Sequence, residues 1–250
     1  MNPKYFLFLL LSIIACNSLF SQDRKKVTGN VGDRRSGTKE IYYVLTDGST
    51  KDGSYELIHN GKTRTTGFYK LGKKDSVWEN YNYKNVLVSR KRYIDGKQAG
   101  IWGFYNGAGE LDWTYDFNSG IAAYQPNYVD TTHISYQDEN GNWINGHPDK
   151  DPIDLQGRME WLAYLTFNLR YPEEAVNNEQ MGDVGISITI DENGSAIDYS
   201  IVQSAAPSLD AEGLRLVKPF FTEFVAAEKN GKKVKSRIIR FVKFRIEIAK

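Results

Sequence analysis

The sequence predicts an α+β fold in two parts: an N-terminal antiparallel all-β repeat sheet with a 24-residue period, and a C-terminal domain whose antiparallel sheet packs on helices. Three observations carry that prediction. Gly48, Gly72 and Gly96 recur 24 residues apart, as do Trp78 and Trp102, Tyr81 and Tyr105, and Tyr69, Tyr93 and Phe117. A unit of that length holds two short strands and their turns, whereas a repeat of helix pairs needs more. Val184, Ile186, Ile188 and Ile190 alternate with Gly185, Ser187 and Thr189 and run into Asn193-Gly194, a strand closed by a hairpin turn. Helical spacing of apolar residues flanks that hairpin, at Met159 to Phe167 and at Leu209 to Phe220.

Taken in order, the chain begins with the layout of a secretory signal over residues 1–21: Lys4, the apolar run Tyr5 to Leu11, then Ser12-Ile13-Ile14-Ala15. The run is shorter than the ~20 residues that comfortably span a bilayer. Two cuts fit. Ile13-Ile14-Ala15-Cys16 has lipobox form and would make Cys16 the lipidated first residue; Leu19-Phe20-Ser21 before Gln22 suits ordinary signal peptidase and would discard Cys16. Cys16 is the one cysteine, so neither cut leaves a disulfide. Residues 22–40 are polar, with Gly29, Gly32 and Gly37, and are expected to be a flexible tether.

Residues 41–120 form the repeat domain, which opens on Ile41-Tyr42-Tyr43-Val44-Leu45. Each unit has too little apolar surface to stand alone, so stacked aromatic rows would supply its core. Over residues 121–150 the period weakens, and Asn140-Gly141 and Asn145-Gly146 mark turns. Tyr124, Tyr128, Tyr136, Trp143 and Ile144 argue against free disorder there. The expectation is a last strand or hairpin of the first domain plus a semi-ordered linker that lies against one domain.

The second domain is placed at 151–250. Pro172 stops the helix of Met159, Leu162, Ala163 and Phe167 and starts another through about Asn178, with Glu173 and Glu174 in its first turn. Ile197, Tyr199 and Ile201 answer Val184 to Ile190 across the turn, giving a hairpin with one buried face. Ser208 is expected to cap the next helix and Pro219 to end or kink it. After Asn230-Gly231 comes a long final strand in which Val242, Phe244, Ile246 and Ile248 alternate with Lys243, Arg245 and Glu247. The neighbours Ile238-Ile239 and Phe241-Val242 break the period and suggest a bulge or bend. Nine Lys or Arg against one Glu from Lys229 onward make its outer face basic.

Tyr171-Pro172 with Ala175, then Gly182, Val184 and Ile186, Gly194, Ser204, Leu209-Asp210, Asn230-Gly231-Lys232-Lys233-Val234 and Phe241 to Ile246 form an ordered set. It resembles the C-terminal domain of TonB, the energy transducer of double-membraned bacteria, over about residues 150–250. That family uses the edge of its last strand to pair with a short segment of outer-membrane transporters. The resemblance therefore implies a peptide-binding edge at Arg240, Val242, Lys243, Phe244 and Arg245, where backbone hydrogen bonds would give affinity. The same charges would also guard an open edge against aggregation. The chain departs from the family in lacking a Pro-rich spacer and in having Phe224-Val225-Ala226-Ala227 where a Pro is usual, so active import by this protein alone is not expected. Gly72 to Trp78 and Gly96 to Tyr105 resemble MORN-like repeats of the YwqK type, which implies an elongated antiparallel sheet and no chemistry.

Composition excludes some classes. With 32 basic and 31 acidic side chains the formal charge is +1, which gives no global field to recruit nucleic acid. His59, His133 and His147 have no metal-ligand spacing, and Asp138, Asn140 and Asn142 approach a calcium loop in which Gly141 falls too early and the closing Glu is absent. Gly107-Ala108-Gly109 follows an aromatic repeat and opens no βαβ helix. No catalytic set and no cofactor are expected. Trp78, Tyr81, Trp102 and Tyr105 could stack a glycan or peptide, or pack the repeats together. The expected protein is exported to the periplasm or outer membrane of a Gram-negative bacterium, touches the membrane only through a lipid on Cys16, and binds an envelope protein or peptide. The alternatives are a structural envelope scaffold and a carbohydrate-active enzyme at the aromatic face.

Overall fold

The computed structural model describes residues 23–31, 37–124 and 133–246, and the chain divides at residue 123 into two compact units. The signal segment and Cys16 lie outside the described residues. The first unit is one sheet of β1 (Lys25–Asn30), β2 (Thr38–Val44), β3 (Lys51–His59), β4 (Lys62–Lys70), β5 (Lys73–Tyr81), β6 (Leu87–Ile94), β7 (Lys97–Gln98), β8 (Ile101–Tyr105), β9 (Leu111–Asp116) and β10 (Ile121–Tyr124). Neighbours in the sheet are neighbours in sequence, apart from β7, which pairs on β6 beside the main path.

The repeat is built at the turns. Gly72 and Gly96 sit at φ 79° and 82°, where a side chain is strained. The Gly72 N–H donates to Lys51 O at 2.7 Å and the Gly96 N–H donates to Lys74 O at 2.8 Å, so each turn is tied to the preceding unit. One face carries a continuous row of rings, Tyr55, Tyr69, Trp78, Tyr93, Trp102 and Phe117, with successive centroids 5.7, 5.0, 6.4, 5.1 and 4.9 Å apart. These are edge and tilted contacts within the favoured range for aromatic pairs. Trp78 Nε1 donates to Phe68 O at 3.1 Å and Trp102 Nε1 donates to Arg92 O at 2.9 Å, the same bond one unit on.

Residues 25–30 correct the expected tether: they form β1, paired residue for residue with β2 from Lys25↔Val44 to Asn30↔Lys39. An edge strand needs backbone bonds on one side only, and charged side chains suit it.

The second unit holds β11 (Ile134–Gln137), β12 (Trp143–Asn145), β13 (Ile153–Asp154), α1 (Arg158–Asn168), α2 (Glu173–Asn177), β14 (Gly182–Ile190), β15 (Ala196–Gln203), α3 (Pro207–Phe220), β16 (Phe224–Val225), β17 (Ala227–Lys229), β18 (Lys232–Val234) and β19 (Ser236–Phe244). Its main sheet runs β12-β11-β19-β14-β15. Of the stretch expected to hold a last strand or hairpin of the first domain and a linker, Ile121–Tyr124 is the last strand of the first sheet, while β11 and β12 belong here, because Ile134 to Tyr136 pair with Ser236 to Ile238 and Ile134 joins this core.

Val184, Ile186, Ile188 and Ile190 of β14 meet Leu209, Leu216 and Val217 of α3, with Ile238, Val242 and Phe244 of β19 completing the layer. Gly213 lets α3 approach, since a Cβ there would lie 3.0 Å from Val184 Cγ1. Three local expectations are corrected. Helix α3 starts at Pro207 behind Ala206, with Ser208 making no cap. Strand β14 is buried on both faces, Ser187 and Thr189 being only 5% exposed, with the Arg237 side chain reaching Thr189 from β19. Strand β19 keeps an unbroken register with β14 from Ser236 to Phe244, so Ile238 and Ile239 simply take opposite faces.

Candidate functional site

Strand β19 lies inside the sheet, between β11 and β14. Its pairing differs on its two sides. Towards β14 the register continues to Gly182↔Phe244. Towards β11 it stops at Ile134↔Ile238, followed by one backbone bond in which the Ile239 N–H donates to His133 O at 3.2 Å. Backbone groups alternate sides along a strand, so those of Phe241 and Lys243 point the way that Ile239 points, away from β14. Among the described residues no strand is paired on that side beyond Ile239.

The five residues expected to form the binding edge do not act alike. Val242 and Phe244 are 0% and 1% exposed and belong to the core, where the Phe244 ring meets Tyr171. Arg240 is half-buried with its Nη2 3.6 Å from Asp154 Oδ2. Arg245 Nη2 donates to Asp183 Oδ1 at 2.5 Å. Lys243 is exposed and makes no ion pair among the described residues. The residue missing from the expected set is Phe241, 36% exposed on the same face as Lys243, with its ring 6.3 Å from that of His133. Its parity with Lys243, opposite to that of buried Val242, is the signal that finds it.

The basic character of the strand is thus partly spent within the fold. Arg237, also on the outer face, stacks its guanidinium 3.6 Å from the centre of Trp143, and its Nε donates to Thr189 Oγ1 at 3.3 Å. At the nearby hairpin Lys229 Nζ donates to Asp149 at 2.7 Å, and this hydrogen bond holds the Asp149 carboxyl below its ordinary pKa.

The aromatic candidates of the first unit do not assemble into one surface. Trp78 and Trp102 are 4% and 1% exposed within the ring row. Tyr81 donates its hydroxyl to Glu79 Oε2 at 2.6 Å, and Tyr105 lies against Gly103. The histidines stay apart: His59 bonds Thr38 and His147 lies 2.8 Å from Asp151. Among the described residues no group of three or more His, Cys, Asp or Glu could hold a metal ion, and no helix is long and apolar enough to cross a membrane.

Residues 168–246 match the family described as Gram-negative bacterial TonB protein C-terminal. The match spans α2 through β19 and agrees with the expected location in a Gram-negative envelope. Among solved structures, the NMR solution structure of the Helicobacter pylori TonB C-terminal domain is similar at 22% identity and a TM-score of 0.25, covering 36% of this chain and 81% of that one. A crystal structure of S. aureus TarM is similar at 14% identity and a TM-score of 0.25, covering 47% of this chain and 23% of that one. No curated protein matches the chain.

Proposed function

We propose that the second unit is a non-catalytic binding module that takes an extended segment of an envelope protein along the β11 side of β19, at Phe241 to Lys243. One observation carries this reading: among the described residues, β19 is paired as far as Phe244 on one side and only to Ile238, with one further backbone bond, on the other. An added strand would gain backbone bonds from Phe241 and Lys243, and its register would be read by the side chains of those two residues. Val242 and Phe244 would serve from beneath by holding the strand flat on the core. The family match supports the same reading, because it covers this strand and its partner β14.

The test is site-specific photo-crosslinking in the native envelope. Crosslinkers at positions 241 and 243 should give the same discrete adduct, position 242 should give none, and Lys243→Glu should weaken the adduct. The reading fails if position 197, on the opposite edge strand β15, gives the same adduct, or if 241 and 243 give none. The second outcome would favour the scaffold alternative, in which the unit holds envelope components without capturing a segment.

A further inference from the structure

The outer face of the second sheet carries a cleft of about 830 Å³. Its lining includes Ser135, Ser187, Val202, Arg237 and Ile239. We propose that this cleft is a carboxylate site, built to take the side chain of a glutamate from a partner protein. The proposal does not depend on strand pairing at Phe241.

The argument begins with how Arg237 is held. Its guanidinium lies on the Trp143 ring at 3.6 Å and its Nε is used by Thr189, so both the plane and the direction of the group are fixed. Its two terminal nitrogens make no hydrogen bond or ion pair among the described residues. Three other arginines of this unit have an acid of their own, Arg215 with Glu212 at 2.6 Å, Arg240 with Asp154 at 3.6 Å and Arg245 with Asp183 at 2.5 Å, while Arg158 and Arg170 are exposed to solvent. Asp198 lies opposite Thr189 on the next strand and forms no ion pair with Arg237. A half-buried cation is therefore held against Trp143 and Thr189 at the wall of the cleft, with no acid paired to it among the described residues. Fixed forks of this kind match the two oxygens of a carboxylate, and little side-chain freedom is left to lose on binding.

The rest of the cleft selects among anions. Ile239 and Val202 are apolar, the latter 53% exposed, and suit the two methylenes of a glutamate stem. The Ser135 and Ser187 hydroxyls can donate to a carboxylate oxygen. A phosphate dianion would ask for more positive charge than one guanidinium supplies, and of the two histidines that also line the cleft, His133 lies against the Phe241 ring and His147 already faces Asp151 at 2.8 Å.

Titration of the full chain followed by ¹H–¹⁵N NMR tests this with three probes: a capped pentapeptide with a single central glutamate between glycines, its glutamine counterpart, and inorganic phosphate. The glutamate peptide should shift the Trp143 indole and Arg237 side-chain signals saturably, and the glutamine peptide should bind at least ~10-fold more weakly, as expected when a charge-assisted pair is replaced by a neutral one. Arg237→Lys, which keeps the charge and loses the fork, should weaken the glutamate peptide while the backbone spectrum stays native. Equal binding of the two peptides, no saturable shift at Trp143 and Arg237, or full affinity in Arg237→Lys would overturn the proposal. Phosphate binding as tightly as the glutamate peptide would also overturn it, in favour of an unselective anion site. A failure here leaves crosslinking at positions 241 and 243 untouched, so the two readings fall separately.

Discussion

The two units bury their apolar side chains by different means. In the first, rings lie along a single sheet and each touches the ring before and after it, from Tyr55 to Phe117. In the second, aliphatic side chains from β14, β19 and α3 close a layer between sheet and helix, joining segments far apart in sequence. The difference teaches why one half is periodic and the other is not. A row of neighbour contacts can be repeated indefinitely, so it leaves a period; a closed layer is made once. The same logic separates their failure modes, because a solenoid-like row loses stability locally while a closed core loses it as a whole.

The largest effects should come from emptying each core. Trp102→Ala is expected to cost about 3–5 kcal/mol and Ile188→Ala about 2–5 kcal/mol, both residues being essentially without exposure. Hydrogen exchange read peptide by peptide should show the Trp102 loss concentrated on β6, β8 and β9 and fading toward β2. The Ile188 loss should fall evenly over β14, β15, β19 and α3. An even loss through the whole first sheet would break the comparison.

Smaller effects follow from adding a methyl group. A Cβ on Gly67 would meet Trp78 ring atoms at 2.3–2.5 Å, and that indole is pinned by its bond to Phe68 O. Gly67→Ala should therefore cost about 1–3 kcal/mol as overpacking. At Gly185 the added Cβ would lie 3.0 Å from Gln203 Cβ and from Phe241 Cε1. Phe241 is partly exposed and can turn aside, so Gly185→Ala should cost under ~1.5 kcal/mol. Chemical denaturation of the two variants checks the order, and a reversed order would mean that Phe241 is held more firmly than its exposure suggests.

Legibility follows the same division. The glycine and aromatic period could be counted because each unit reuses the same turn and the same indole bond. The helices α1 and α2 were announced by spacing and by Pro172, since both signals are local. What could not be read was which strands meet. Trp143 and Ile134 sit in a stretch of weak period, and nothing near them says that they will lie beside Arg237 and Ile238. For the same reason, alternation separates Val242 and Phe244 on one face from Lys243 on the other, but only the sheet order shows on which side of β19 pairing stops at Ile239 among the described residues. Ser208 was assigned a capping role on residue type alone, and Pro207 starts the helix before it.

The finest contrast, in which Asp75→Ala should have the smallest effect, tests how exact the repeat is. Lys51-Asp52 and Lys74-Asp75 occupy matching places: the lysine carbonyls accept the turn glycines, Asp52 Oδ2 accepts the Leu71 N–H at 2.9 Å, and Asp75 Oδ1 accepts the Asp95 N–H at 3.2 Å. Of the two, Asp52 is the buried one, at 3% exposure, and among the described residues it alone has a cation, Arg24, at 2.5 Å. Burial by itself would raise the Asp52 pKa, yet the Leu71 N–H and Arg24 outweigh it and the carboxyl is held below its ordinary value. A carboxyl with a lowered folded pKa contributes stability that is complete above its unfolded pKa and is lost as pH falls through the folded one. Asp52→Ala should accordingly cost about 1–3 kcal/mol near neutral pH, with the difference from wild type shrinking as acid protonates the carboxyl, while Asp75→Ala should cost less than ~1 kcal/mol. Thermal melts at pH 7 and at pH 3 compare them. Equal costs at pH 7 would mean that the two turns are energetically the same unit despite their unequal burial; a cost at Asp52 that persists undiminished in acid would place its role in packing, with the ion pair to Arg24 contributing nothing.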